Sequence, residues 1–463
     1  MTGALAPEPV EAVVRKKSRL PFGFGPRFFL STMLGLIWLV PLWWSIRFLP
    51  LFLVWHALVL IAWLWDLMRL PRPQNLRARR SWGGPLILGR PVTVGIAVEH
   101  RRGISLQVSV IDELAPTLYD NVPQFDLSLP PGGQALREYN VIPHKRGDTK
   151  IGSLFLRYRT GFAFAECWAV APLAQTVCVL PDLTEANEQA LYLIRSRQID
   201  IQKRRHRDPG LGREFESLRE YREGDELREV CWPATARRHN LITRTFTVER
   251  SQTVWVMIDA GRLMRAEIER SDRNFRLAKL DYSIDAALSI AQVAAQYGDR
   301  VGAVAYGRGI QQLIGAGRGP AHIRQWVDAL AHVRSEATEA NHGLAARALL
   351  RKQTRRALVV WITDFAETAA TPDVVEYAAQ IAKRHLVLFA VVSQPDLAMA
   401  ARQIPKTEPE MYRGAAALGL LQRREILIRS LRQQGVLALE VTPGKLSTAL
   451  VNEYLAIKDR NLL

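Results

Sequence analysis

Two carboxylates at the ends of apolar runs are the residues of this sequence best placed to carry chemistry. Residues 253–258 form a nearly continuous apolar run that ends at Asp259, and residues 357–363 form a second run that ends at Asp364. Runs of this kind predict buried parallel strands, whose carboxyl edge is where α/β sheets bind ligands. Because like charges in a cleft raise each other's pKa, two acids at that edge favour a divalent cation or a basic partner group.

Signatures of other chemistries are missing from the sequence. The glycines from residue 307 to residue 319 lie between predicted strands and are not followed by Lys-Ser or Lys-Thr, so hairpin turns explain them better than a phosphate loop does. The sequence also contains no Gly-x-Ser-x-Gly and no His-Glu-x-x-His pattern. These absences argue against a nucleotide-binding loop, a serine hydrolase and a zinc protease.

The elements that must position the two carboxylates follow from the periodicity of the apolar residues. From residue 253 to residue 463, apolar runs alternate with segments of helical spacing, which predicts an α/β doubly wound sheet. Residues 85–182 have a period of two interrupted by turn signals, which predicts an antiparallel β-sandwich. We therefore expect a multidomain protein in which residues 183–252 form a connector helix and a charged segment.

The N-terminal region predicts a transmembrane helical hairpin over residues 28–70, preceded by a basic tail over residues 1–27. Residues 28–46 and 48–65 carry no charge, and each run is about long enough to cross a ~30 Å hydrocarbon core. A cleaved signal peptide fits poorly, because the apolar region is doubled and lacks a small-residue cleavage site. A buried soluble hairpin is the remaining alternative, and it would need a very large core around it.

Basic residues flank both apolar runs. Five precede the first run and five follow the second: Arg15, Lys16, Lys17, Arg19, Arg27, Arg69, Arg72, Arg77, Arg79 and Arg80. Since the connecting turn carries only Arg47, the positive-inside rule places both ends in the cytoplasm and the turn on the other side of the membrane. Asp66 is expected at the same interface, paired with Arg69. The net charge of +17 is thus better explained by membrane lipid than by nucleic acid, for which no binding motif is present.

A charge-dense segment precedes the first apolar strand and carries a second set of candidate residues. Its distinctive positions are Leu218, Arg219, Tyr221, Gly224, Asp225, Arg228, Trp232, Ala236 and Arg237. Arg and Trp are frequent in the energetically dominant part of protein interfaces, so the segment is a candidate partner-binding surface. In the alternative interpretation the charges pair with one another and Trp232 joins the core.

The order of the segments and this signature resemble the bacterial family called domain of unknown function 58, and the C-terminal region resembles the von Willebrand factor A fold. The resemblance implies a metal-ion-dependent adhesion site that binds Mg²⁺, with Asp259 and Asp364 at two of its positions and His342 near a third. The first motif reads Asp259-Ala260-Gly261-Arg262-Leu263 and lacks both hydroxyl ligands, which makes the site degenerate. We expect Asp259 to be held instead by backbone amides or by Arg262.

The resemblance further implies a MoxR-type AAA+ ATPase as partner. We therefore expect a non-enzymatic adaptor or scaffold, anchored in the inner membrane, whose cytoplasmic A-like domain mediates protein–protein interaction. Two alternatives stay open. One is a membrane-bound, metal-dependent hydrolase or transferase that uses Asp259, Asp364 and His342. The other is a scaffold for envelope assembly that acts through the β-sandwich.

Overall fold

The computed structural model divides the chain into two compact units, Met1–Leu180 and Pro181–Leu463. The residues it describes are 6–18, 21–119, 121–182, 214–222, 227, 230–238, 240–247, 252–269, 276–364, 371–460 and 462. Two apolar helices come first, several antiparallel sheets follow, and an α/β region completes the chain. This order confirms the predicted sequence of structural classes.

The apolar N-terminal region forms two long helical stretches. They are built from α1 (Pro26–Gly35), α2 (Leu39–Trp44) and α3 (Leu49–Arg69) with short 3₁₀ turns between them. The stretches Pro26–Trp44 and Ile46–Arg69 are 19 and 24 residues long and apolar enough to cross a membrane. Only 6% of the most apolar part of each is buried against the rest of the chain, which argues against a buried soluble hairpin. The helices separate at Ser45, which has an extended backbone and accepts a hydrogen bond from the Arg47 N–H.

Antiparallel sheets make up the rest of the first unit. Their strands are β1 (Val10–Val13), β2 (Arg15–Lys16), β3 (Phe22–Phe24), β4 (Leu76–Trp82), β5 (Val92–His100), β6 (Leu106–Asp112), β7 (Gln124–Leu129), β8 (Gln134–Val141), β9 (Gly147–Ile151), β10 (Leu154–Thr160), β11 (Ala165–Ala171) and β12 (Gln175–Val179). One sheet has the order β1-β4-β5-β8, a second has β2-β11-β10-β6-β7 with β3 also on β11, and β12 pairs with β9. Burial alternates along β6 and β10, as the period of two predicts.

A buried ion pair links the two larger sheets. The guanidinium of Arg80 on β4 contacts the carboxylate of Asp112 on β6 and donates to the carbonyl of Leu173 over 2.8 Å. The hydroxyl of Tyr139 on β8 donates to the same carboxylate over 2.5 Å. Because Arg80 and Asp112 are fully buried and mutually satisfied, they fix the two sheets relative to each other.

The strands before the first apolar helix pair with strands that follow the second. β1 pairs with β4, and both β2 and β3 pair with β11. The sequence analysis did not predict these strands within residues 1–27, because they are only two to four residues long and β2 consists of two basic residues. The sheets therefore hold both ends of the helical hairpin together.

The end of α3 is fastened to the second sheet by Asp66. Its carboxylate accepts hydrogen bonds from the backbone N–H groups of Phe164 and Ala165, both over 2.9 Å, and from the Thr160 hydroxyl. The predicted pairing of Asp66 with Arg69 is wrong, since Arg69 lies over the ring of Trp65 at 4.1 Å. A buried carboxylate is stabilised by several fixed donors, which the strand connection supplies here.

The second unit begins with two antiparallel strands that have a short helix between them, and an α/β sheet follows. Its elements are β13 (Glu214–Glu220), α4 (Trp232–Arg238), β14 (Ile242–Thr247), β15 (Thr253–Asp259), β16 (Glu267–Glu269), β17 (Arg276–Ala278), α5 (Lys279–Gln296), β18 (Arg300–Tyr306), β19 (Ile310–Gly317), α6 (Pro320–Ala331), α7 (His342–Lys352), β20 (Leu358–Thr363), α8 (Thr371–Ala382), β21 (Leu386–Val392), α9 (Pro395–Arg402), α10 (Glu408–Gln433), β22 (Leu437–Val441) and α11 (Leu446–Asp459). The connector helix predicted near the start of 183–252 lies outside the described residues.

The main sheet has the strand order β19-β18-β15-β20-β21-β22. All neighbours are parallel except β19, an antiparallel edge strand next to β18. One face packs Trp255, Trp361 and Phe389 against residues of α7, α8 and α10. On the other side α5, buried along most of its length, packs against β15 and β18 and is itself covered by α11. Because both faces are covered, the central strands are apolar throughout. This is why the apolar runs of the sequence predicted them.

Candidate functional site at the carboxyl edge of the sheet

The two predicted carboxylates end neighbouring parallel strands. Asp259 is the last residue of β15, and Asp364 directly follows Thr363, the last residue of β20. Ile258 is in register with Ile362, so the two strand ends lie side by side. The sheet therefore brings Asp259 and Asp364 to the same edge, as the apolar runs indicate.

Asp259 is held by neutral hydrogen-bond donors. One carboxylate oxygen accepts the Gly261 N–H over 2.7 Å, and the other accepts the Thr363 hydroxyl over 2.6 Å. Burial raises the pKa of Asp259 to about 6; the two hydrogen bonds oppose this rise, and the charge of Asp364 adds to it. The sequence analysis expected backbone amides or Arg262 to hold Asp259. A backbone amide does hold it, whereas the guanidinium of Arg262 lies 3.3 Å from the carboxylate of Glu339.

Asp364 is neutralised by two basic side chains that the sequence analysis did not single out. Its carboxylate contacts the ammonium of Lys279, the first residue of α5, and the guanidinium of Arg424 on α10. Arg424 also lies 3.1 Å from Glu440 on β22. Burial lowers the pKa of Lys279, and the negative charge of Asp364 opposes that shift. The sequence signal that could have pointed to Lys279 is its position as a basic residue at the start of a strongly apolar helix.

His342 faces aromatic side chains. Its Nδ1 lies 3.0 Å from the hydroxyl of Tyr306, whose oxygen also accepts the indole N–H of Trp361 over 2.6 Å. Burial lowers the pKa of His342 to about 4. The imidazole is therefore neutral at physiological pH and has a hydrogen-bond partner at the end of β18.

These three residues do not fit a magnesium site. Among the described residues, the ligand atoms of Asp259, Asp364 and His342 do not gather within 4.8 Å of one another. Mg²⁺ requires several oxygen ligands in octahedral order, whereas the oxygens here are engaged by a hydroxyl, a backbone amide, an ammonium and a guanidinium. At Asp364, the side chains of Lys279 and Arg424 supply the positive charge that a metal ion would otherwise provide.

The signature segment presents an exposed aromatic residue. Trp232 begins α4 and is 64% exposed, and Arg237 and Arg238 lie exposed in the last turn of the same helix. This placement rules out the alternative in which Trp232 joins the core. The helix is tied to β14 by hydrogen bonds from Cys231 N–H to the Ile242 carbonyl and from Ile242 N–H to the Thr235 hydroxyl, over 2.7 and 3.0 Å.

The remaining signature positions lie on β13 or outside the described residues. Arg219 is on β13 opposite Thr243 of β14. Tyr221 directly follows the strand, and its backbone N–H donates to the Leu241 carbonyl over 2.9 Å. Gly224, Asp225 and Arg228 lie outside the described residues. The described positions thus belong to one small hairpin that carries α4.

Comparison with protein families supports one resemblance. The family model described as "Protein of unknown function DUF58" matches residues 217–407, which is less than half of the chain. The matched stretch contains the signature positions from Leu218 to Arg237, both strand-end carboxylates and His342. The match supports the similarity to that family inferred from the signature. The search of curated proteins finds no match.

Two of the solved structures that match this chain are only remotely similar to it. The structure of proximal thread matrix protein 1 from the mussel byssus is 12% identical, with 44% of this chain and 46% of that chain covered and a TM-score of 0.28. The ASH / PapD-like domain of human CEP192 is 9% identical, with 21% of this chain and 77% of that chain covered and a TM-score of 0.16. The chain thus spans about half the length of the mussel protein, and scores this low carry no argument about fold or function.

Proposed function

We propose that this protein is a membrane-anchored, non-enzymatic adaptor or scaffold whose von Willebrand factor A-like unit binds a protein partner. The observation that carries the proposal is the exposure of Trp232 at the start of α4, with Arg237 and Arg238 exposed in the last turn of the same helix. A tryptophan ring buries a large area with little loss of conformational freedom, and Trp and Arg dominate the energetics of many interfaces. Because α4 is hydrogen-bonded to β14, the ring is presented on a fixed support.

The internal neutralisation of Asp364 weighs against the metal-dependent hydrolase or transferase. Such an enzyme needs a cation with an open coordination position for water or substrate. Here Lys279 and Arg424 already contact both oxygens of Asp364, and Asp259 accepts donors on both of its oxygens. A carboxyl edge arranged in this way favours a structural role within an interaction domain.

The membrane anchor is the pair of apolar helices, and the sheets support its topology. Since β1 precedes the hairpin and pairs with β4 after it, the two ends of the hairpin are on the same side of any membrane that it crosses. Basic residues at both ends favour the cytoplasmic face of the bacterial inner membrane, whose anionic lipids attract them. Both units are then cytoplasmic.

The partner class follows from the family resemblance. Members of that family are associated with MoxR-type AAA+ ATPases, and we extend this association to the present chain. Under this proposal the hairpin localises the ATPase at the membrane, and α4 contributes to the contact.

Co-purification tests the proposal. The full chain is extracted in a mild detergent together with a co-expressed MoxR-type ATPase, and Trp232→Ala is compared with the parent chain. Loss of a buried aromatic anchor costs at least about 2 kcal/mol, so we expect recovery of the ATPase to fall more than tenfold. Trp168→Ala, which removes another partly exposed tryptophan from β11, is the matched control. Full retention of the ATPase by a normally folded Trp232→Ala chain would overturn the contact role.

A further inference from the structure

A basic cleft lies at the amino edge of the main sheet, at the opposite ends of β15 and β20 from the two carboxylates. Its volume is about 630 Å³. It is bordered by the first residues of β15 and β18, the end of β19, the end of α7 and the segment between α7 and β20. Clefts of roughly 300–1,000 Å³ are the usual size for small-molecule sites. The α/β unit therefore has a concave surface that is separate from both the carboxylate edge and α4.

Among the described residues that line this cleft, every charged side chain is positive. Five of its thirteen lining residues are basic: Arg300, Arg318, Lys352, Arg355 and Arg356. None of the thirteen is Asp or Glu. The neighbouring Asp299 is buried and already neutralised by Lys458, whose ammonium lies 2.7 Å from both of its oxygens. Arg318 also has an interaction within the chain, and the Arg356 guanidinium donates to the Leu462 carbonyl over 3.1 Å. Cations that line one cleft repel one another, and a concave wall focuses their potential, so the cleft attracts anions.

The floor of the cleft is a fixed polar surface. The indole N–H of the buried Trp255 donates to the side-chain oxygen of Gln353 over 3.1 Å, and the amide nitrogen of Gln353 donates to the Arg355 carbonyl over 2.8 Å. The guanidinium of Arg300 is positioned by a 2.9 Å hydrogen bond to the Ala316 carbonyl. These contacts order the polar groups before any ligand arrives, which lowers the entropic cost of binding.

Among the described residues, one polar atom of the floor has no hydrogen-bond partner. The side-chain oxygen of Gln252, a lining residue, is buried and accepts no hydrogen bond within the described part of the chain. An unsatisfied buried acceptor costs about 1–3 kcal/mol, which a donor from a ligand would recover. A hydroxyl group close to a negatively charged group meets both requirements of the cleft.

We propose that this cleft binds a phosphate-bearing polyanion that also carries a hydroxyl group. Arginine guanidinium groups match phosphate oxygens in a bidentate geometry, and four of the five basic residues are arginines. The same chemistry is offered by a soluble phosphorylated metabolite and by the headgroup of an anionic phospholipid. The proposal is independent of the partner surface on α4.

Calorimetry on the full chain tests this site. In the first arm, pyrophosphate and ATP are titrated into the chain in a zwitterionic detergent and a phosphate-free buffer. In the second arm, the chain binds nanodiscs of phosphatidylglycerol or of phosphatidylcholine. Each arm is repeated with the double variant Lys352→Gln/Arg355→Gln. The matched control is Arg402→Gln/Arg413→Gln, which removes the same charge from exposed positions of α9 and α10.

We expect the cleft variant to bind at least tenfold more weakly and the control to bind as the parent chain does. Loss of pyrophosphate or ATP binding assigns a soluble ligand, whereas a loss confined to phosphatidylglycerol nanodiscs assigns a lipid headgroup. The proposal is overturned if the parent chain binds in neither arm, or if the control variant loses as much affinity as the cleft variant. Trp232→Ala should leave binding unchanged, which separates this site from the partner surface.

Discussion

Asp364 shows how a buried acid is balanced within the chain. Lys279 is fully buried and Arg424 is 6% exposed, and both contact this carboxylate. Removing a charge from water is costly, and the cost is recovered only when the partner charges are close and well oriented. The ammonium of Lys279 therefore supplies the positive charge that two acids at a sheet edge require.

At this scale we predict that Lys279→Met destabilises the fold. Loss of one partner from a buried pair costs about 3–5 kcal/mol, and we expect about 3 kcal/mol because Arg424 still contacts Asp364. Urea unfolding of the full chain in detergent, followed by tryptophan fluorescence, measures the change. The double variant Lys279→Met/Asp364→Asn should recover part of the loss, because no carboxylate charge is then left underpaired. A double variant as unstable as the sum of the single variants would contradict this account.

The sequence allowed the two carboxylates to be predicted but not their partners. Asp259 and Asp364 each follow an apolar run, so their places at the strand ends could be inferred from local composition. Lys279 and Arg424 lie 85 and 60 residues from Asp364 along the chain, and no local pattern reports a contact across such a distance. Arg262, three positions beyond Asp259 in the same motif, was the partner suggested by local sequence, and it pairs with Glu339 instead.

At the scale of elements, the connection between α3 and β11 joins the apolar hairpin to the sheets. Asp66 near the end of the helix accepts donors from Thr160, Phe164 and Ala165, and the indole N–H of Trp63 donates to the Gly23 carbonyl over 3.2 Å. Hydrogen bonds to a buried charged group are stronger than those between neutral groups. The last turns of α3 and the strand connection therefore form one rigid joint.

We predict that Asp66→Ala loosens this joint. The amides of Phe164 and Ala165 lose their acceptor, which costs about 1–3 kcal/mol and should speed their hydrogen exchange roughly tenfold or more. Exchange measured by mass spectrometry on the full chain in detergent reports the change. Asp126→Ala is the control, because Asp126 accepts from Ser109 in an exposed part of β7. Unchanged exchange at residues 164 and 165 would show that the joint does not depend on Asp66.

Whether an element could be predicted from the sequence depended on its length and on the periodicity of its apolar residues. The apolar helices and the central strands of the main sheet are long and uniform, so their patterns are unambiguous. The short β1, β2 and β3 contain two to four residues each, too few to show a period. They are stabilised by pairing with distant strands, a tertiary effect that overrides local propensity.

At the scale of the whole molecule, the pairing of β1 with β4 keeps both ends of the apolar hairpin on the same side of any membrane that the hairpin crosses. We predict that reporters fused to either terminus will both report the cytoplasm, whereas a reporter inserted after Arg47 will report the opposite side. Alkaline phosphatase and fluorescent protein fusions distinguish the two compartments. Termini on opposite sides would contradict the topology, because β1 and β4 could not then share a sheet.

The same strand pairing sets an order of events during synthesis. Phe22 of β3 pairs with Cys167 of β11, so 145 residues, the difference between the two positions, must be added before the pair can form. At about 5–20 residues per second, the first strands wait on the order of 10 s without partners while both apolar helices emerge. If the hairpin crosses a membrane, as we propose, the sheets can close only after the second helix has returned the chain to its starting side. Under that topology, a completed β-rich unit shows that the hairpin was inserted correctly.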